Sequence, residues 1–123
     1  MFFKKSNRTQ NSIDTLIGAD TRVEGNIHFT GGLRIDGTVI GAVSEPNDSP
    51  STLILSEHGR IEGAITASKI VINGTVLGPV KATQFIELQT KARITGDVNY
   101  NSLEMQTGAV IEGKLVYAGE RTE

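Results

Sequence analysis

The chain has 123 residues, a formal net charge of −2, no cysteine and few aromatic residues. That length suits one domain, the missing cysteines exclude disulfides and thiolate chemistry, and no stretch approaches the roughly 18 apolar residues of a membrane span. Lys4, Lys5 and Arg8 precede the first acid, Asp14, so the remainder is near −5 and offers no basic footprint for nucleic acid.

Residues 1–14 open with Met1-Phe2-Phe3-Lys4-Lys5 and continue to about Ser12 in polar residues without periodicity. The apolar start is too short for a secretory h-region and its lysines follow it, so a cytoplasmic location is expected. The composition predicts a flexible arm. Phe2 and Phe3 suit the headgroup boundary of a bilayer, and Lys4, Lys5 and Arg8 each add on the order of 1 kcal/mol near an anionic leaflet. The membrane-binding candidates are therefore Met1, Phe2, Phe3, Lys4, Lys5 and Arg8. One arm binds weakly, and many arms along a polymer bind multivalently.

Residues 15–117 carry a repeat, an aliphatic-x-Gly-x-aliphatic pentapeptide. Its main copies begin at Val23, Ile35, Ile61, Ile72, Ile94 and Ile111, and two closely following copies begin at Val39 and Val76. Taking one glycine per coil, Gly25, Gly41, Gly63, Gly78, Gly96 and Gly113 are separated by 16, 22, 15, 18 and 17 residues. The long interval contains Ser44-Glu45-Pro46-Asn47-Asp48-Ser49-Pro50-Ser51, a loop composition that accounts for the excess. The intervening residues of the main copies are polar except Ala64, which predicts half-buried strands with glycine at the bends. Coils too small to bury their own apolar face become stable by stacking.

The fold expected is all-β: a parallel β-helix of about six coils, with disordered tails at 1–14 and 118–123. A left-handed hexapeptide helix has a stricter sixfold beat, which the close pairs Gly37/Gly41 and Gly74/Gly78 break, so the right-handed form is favoured. Ile40 and Leu77 fall at outward-type positions. Either the strand phase shifts there and both enter the core, or they form an outer lateral or partner-binding patch.

The serial copies, the opening Thr15-Leu16-Ile17-Gly18, the central segment from Lys69 to Val76 and the closing segment from Leu103 to Gly113 together resemble the bactofilins, bacterial polymer-forming cytoskeletal proteins. The start Met1-Phe2-Phe3-Lys4-Lys5 is similar to that family's membrane-targeting N-terminus. The resemblance implies a right-handed β-helical rod that assembles end to end, without nucleotide or other cofactor, into non-polar filaments. It further implies a scaffold at the inner face of the cytoplasmic membrane that positions cell-wall enzymes or other partners for cell shape.

The residues lead part of the way independently. The two open ends of a β-helix carry unpaired backbone groups, normally blocked by a cap, and no capping pattern precedes Ile17 or follows Val116. The expected polymer interface comprises Ile17, Val23 and Ile27 in the first coil and Leu103, Met105, Val110, Leu115 and Tyr117 in the last. A second reading is a non-polymerising β-helical module that docks protein partners by a face.

Catalytic and metal sites are not expected. His28 and His58 are too few for the three-histidine metal site of β-helical carbonic anhydrases, and Glu57-His58 has no readable nucleophile. Glu24, Glu62 and Glu112, at equivalent outward positions, suit a solvated face better than a hydrolytic groove. Gly31-Gly32 lacks the lysine and helix of a phosphate loop.

Overall fold

The computed structural model describes residues 12–46 and 50–119, and among them every regular element is a strand. The chain winds through six turns of three strands each. Turn 1 holds β1 (Thr15–Ile17), β2 (Arg22–Glu24) and β3 (Ile27–His28), and turn 2 holds β4 (Gly31–Ile35), β5 (Thr38–Ile40) and β6 (Val43–Ser44). Turn 3 takes β7 (Ser51–Leu55), β8 (Arg60–Glu62) and the first half of β9 (Ile65–Ile72). Turn 4 takes the rest of β9, β10 (Thr75–Leu77) and the start of β11 (Val80–Leu88). Turn 5 takes the rest of β11, β12 (Arg93–Thr95) and β13 (Val98–Tyr100), and turn 6 is β14 (Leu103–Met105), β15 (Val110–Glu112) and β16 (Leu115–Tyr117).

All pairings are parallel and join corresponding strands of successive turns, giving a parallel β-solenoid with three walls. The first wall begins with β1, the second with β2 and the third with β3. β9 and β11 run through a corner without breaking, so the first and third walls form one continuous sheet.

Each wall contributes inward columns. Leu33, Leu53, Ile70 and Ile86 stack in register on the first wall, Val39, Ile61, Val76 and Ile94 on the second, and Val43, Ile65, Val80 and Val98 on the third. β-Branched side chains pack well on such a pleated surface. The buried apolar residues run from Phe29 to Val98, so the core lies in turns 2 to 5 and the inward side chains of the end turns are only partly covered.

The repeat has a different structural meaning from the one its alternation suggests. A pentapeptide is not one strand: it straddles a corner, its first aliphatic entering the core from one wall and its last from the next. Val23-Glu24-Gly25-Asn26-Ile27 turns from the second wall to the third, as do all copies centred on the six glycines of the regular series. These glycines have φ between 137° and 157°, where L side chains are strained. From Gly25 to Gly96 each donates its N–H at 2.9 Å to a carbonyl of the turn above. The copies centred on Gly37 and Gly74 turn from the first wall to the second. The pairs Gly37/Gly41 and Gly74/Gly78 are thus two successive corners of one turn.

Side chains complete the ladder where the backbone leaves it. The N–H that follows a corner glycine reaches Asn26 Oδ1 from Ala42 and Asp97 Oδ1 from Lys114, both at 2.9 Å. Above Ala64, which has no acceptor, the chain places Pro79, which has no N–H to satisfy. At the loop that interrupts the regular spacing, the Glu45 carboxylate accepts from the Ser68 N–H at 2.8 Å, from the Ser68 hydroxyl at 2.8 and 3.0 Å, and from the Ser51 hydroxyl. Glu45 thereby ties both ends of the loop to the wall above it.

Candidate assembly surfaces

The sequence-predicted interface divides between the two ends of the solenoid. Ile17, Val23 and Ile27 occupy inward columns of turn 1, are half-buried and pack against the core. Among the described residues no turn lies beyond them. At the other end Leu103, Met105 and Leu115 continue the inward columns into turn 6, and Leu103 is half-buried whereas Met105 and Leu115 are 45% and 48% exposed. The Tyr117 ring lies against Tyr100, with centroids 5.7 Å apart and planes tilted by 54°, while 60% of Tyr117 remains exposed. Val110 differs from this group. It aligns with Arg93 in an outward column of the second wall.

Sequence reasoning missed several members of these surfaces. Leu16 is 58% exposed on the outer side of turn 1, and Ile13, three residues before it, is also exposed. At the far end Ile111 continues the inward column of Val23 and Val39, and Val116 is exposed on the third wall. Ile111 was legible as the first residue of the last pentapeptide. Leu16 was not, because its outward phase is set by register against Arg34.

The backbone edges match the side chains. Among the described residues, β1, β2 and β3 pair only with turn 2, and β14, β15 and β16 only with turn 5. A Cβ on Gly96 or Gly108 would meet a carbonyl of the turn below within 3 Å, whereas one on Gly25 would meet nothing within 4 Å. Gly25 lies at an open rung. Each end therefore combines unpaired strand edges with uncovered apolar side chains, a surface that a further turn of the same kind would complete.

The outer side of the second wall has its own pattern. One column reads Arg22, Thr38, Arg60, Thr75, Arg93 and Val110, and the other reads Glu24, Ile40, Glu62, Leu77, Thr95 and Glu112. Arg22 pairs with Glu24 at 2.8 Å and Arg60 with Glu62 at 2.7 Å. Leu77 is 37% exposed and Ile40 is half-buried, both outside the core cluster. The phase-shift account of these two residues is therefore wrong. The corner at Gly41 and at Gly78 keeps the same alternation as the other corners, which leaves both side chains outside.

Among the described residues, the geometry singles out no catalytic constellation of titratable side chains. Glu24 and Glu62 are separated by a rung, and each is engaged by its arginine. His28 meets the Ser44 hydroxyl at 3.2 Å on the surface, and His58 stands 3.4 Å from Glu57 with its side chain 75% exposed. A shallow depression of about 400 Å³ near His58 is lined by Arg34, Asp36 and Glu57 among others, whose charges pair locally: Arg34 with Asp36 at 3.0 Å and Glu57 with Lys91 at 3.2 Å. Among the described residues, no three His, Asp or Glu side chains converge as a metal-binding group, and no helix is long and apolar enough to cross a membrane. The arm candidates Met1, Phe2, Phe3, Lys4, Lys5 and Arg8 lie outside the described residues.

Comparison with known proteins gives concordant results. Residues 15–116 match the family model described as bactofilin, polymer-forming cytoskeletal. The chain is 30% identical over 108 residues to bactofilin BacO of Myxococcus xanthus (strain DK1622), covering 88% of this chain and 82% of that protein. It is 23% identical over 112 residues to bactofilin BacP of the same organism, covering 91% of this chain and 45% of that protein. No solved structure gives a significant match.

Proposed function

The chain belongs to the bactofilin family of polymer-forming cytoskeletal proteins, and on that basis we propose that it is a structural subunit that assembles end to end into filaments without nucleotide. The observation that carries this reading is the location of the exposed large apolar residues. Of the eight among the described residues, all but Leu77 belong to turns 1 and 6 or to the segment entering turn 1. Covering such a side chain is worth about 1.5–3 kcal/mol when burial is complete, and joining two ends also pairs three strand edges. The polymer interface is assigned to Ile17, Val23 and Ile27 at one end and Leu103, Met105, Val110, Leu115 and Tyr117 at the other, extended by Leu16 and Ile111.

The filament is non-polar in this reading, with like ends joined. Head-to-tail stacking would place Glu112 directly below Glu24, since both occupy one outward column. An antiparallel pairing of two β15 strands centred on Ile111 instead sets Glu112 opposite Val110 of the second copy.

The filament attaches to the inner face of the cytoplasmic membrane through residues 1–14, with 15–117 as the polymerising domain and 118–123 as a short tail. It serves there as a scaffold for cell-wall or cell-shape machinery. The test is negative-stain microscopy of the purified chain in nucleotide-free buffer, with co-sedimentation on anionic and neutral liposomes. Filaments that sediment with anionic liposomes, and lose them on deletion of residues 2–8, are expected. A monodisperse small species would overturn the filament and favour a docking module. Liposome binding that survives the deletion would overturn the anchor.

A further inference from the structure

Among the described residues, the one exposed large apolar side chain away from the ends, Leu77, sits within the alternating pattern of the second wall. Its rungs alternate in chemistry. Arg22 with Glu24 and Arg60 with Glu62 are charged, whereas Thr38 with Ile40 and Thr75 with Leu77 present a methyl-bearing hydroxyl residue beside an aliphatic one. We propose that this wall is a lateral interface between copies of the chain, in which two filaments lie side by side with each subunit facing one of the same orientation, second wall to second wall, about a two-fold axis along the solenoid.

That symmetry places the arginine-threonine column of one copy against the glutamate-aliphatic column of the other at the same height. Arg22 then faces Glu24 of the second copy, Arg60 faces Glu62, Thr38 faces Ile40 and Thr75 faces Leu77. Every contact in the first four rungs is complementary, and each charged pair becomes part of a four-charge square. Shifting one filament by a subunit, so that each copy fully overlaps one of opposite orientation, sets each column against itself. Glu24 would then meet Glu112, and Glu62 would meet Leu77. Charge complementarity therefore selects a second copy in parallel orientation.

The size of the wall adds a condition. Six rungs at about 4.8 Å and a width of about 10 Å give on the order of 300 Å² per subunit, well below the roughly 800 Å² per partner of a stable standard interface. Two isolated subunits do not pair. Along a filament the same patch recurs with every subunit, and the contacts add multivalently. Lateral pairing thus rests on the end-to-end assembly proposed above and follows it.

The experiment compares filaments of the wild type, Leu77→Asp, Arg60→Glu and the double variant Arg60→Glu with Glu62→Arg by negative-stain microscopy at low and high salt, with circular dichroism to establish folding. Wild-type filaments are expected as pairs that separate at high salt. Leu77→Asp and Arg60→Glu should give single filaments of about half the width, and the double variant should recover pairs. Unpaired wild-type filaments, pairing undiminished by Leu77→Asp, or failure of the double variant to recover pairing would overturn this proposal alone. Absence of wild-type filaments would overturn both it and the end-to-end reading.

Discussion

The carbonyl oxygen of Gly78 lies 2.5 Å from the point where a Cβ on Gly96 would sit, one turn above it on the same corner. The walls can stack at strand spacing there only because the corner residue has no side chain. The requirement is both steric and conformational, since Gly96 also has φ 142°.

Three alanine substitutions separate these two causes. Gly96→Ala incurs both and is expected to destabilise by at least about 3 kcal/mol. Gly25→Ala has the positive φ but open space around it, so about 1–2 kcal/mol is expected. Gly18→Ala has neither constraint and should stay within about 0.5 kcal/mol. Urea unfolding followed by circular dichroism gives the order, and equal losses at Gly25 and Gly96 would contradict the stacking account.

Much of this corner geometry was legible in the sequence. The glycine spacings of 16, 22, 15, 18 and 17 residues coincide with the offsets between successive strands of the second wall. That the chain bends at these glycines was legible, but that each bend divides a pentapeptide between two walls was not, because alternation along Val23-Glu24-Gly25-Asn26-Ile27 reads the same for a flat strand as for a bent one. Leu16 escaped, and Leu77 was left between two readings, for a related reason: whether an aliphatic points in or out depends on the phase that the corners set. The role of Glu45 was hidden as well, since Ser68, its main partner, is 23 residues away.

Glu45→Ala leaves the Ser68 N–H without its acceptor in a buried position and releases two hydroxyls. A loss of about 1–3 kcal/mol is expected, with a smaller loss for Glu45→Gln, which retains an acceptor oxygen. Limited proteolysis should cut more rapidly between residues 45 and 51 in the alanine variant. Unchanged stability and cleavage would show that the loop is not anchored by this carboxylate.

Surface ion pairs should contribute little beside the core columns. Arg22→Ala removes a pair whose side chains are 62% and 68% exposed, and the expected change is below about 1 kcal/mol. Ile70→Ala opens a cavity in a fully buried column between Leu53 and Ile86 and is expected to cost about 2–5 kcal/mol. Calorimetric melting temperatures of the two variants would test the contrast, and comparable shifts would contradict it.

The Tyr100–Tyr117 contact predicts a graded effect at the last turn. Tyr117→Phe keeps the ring on Tyr100 and should preserve both folding and assembly. Tyr117→Ala removes a ring pair worth about 0.5–1.5 kcal/mol beyond its buried area and should raise the concentration needed for sedimentable polymer. Identical sedimentation of the two variants would exclude the ring from the end surface.

The most direct measurement compares Leu115→Arg with Lys81→Glu by sedimentation and negative-stain microscopy. Both residues lie on the third wall, Leu115 in an inward column of the open last turn and Lys81 exposed on a middle rung. If the uncovered ends drive assembly, Leu115→Arg remains folded but stays in the supernatant as short oligomers, while Lys81→Glu forms filaments like the wild type. Filaments of undiminished length from folded Leu115→Arg would contradict end-to-end assembly through this surface.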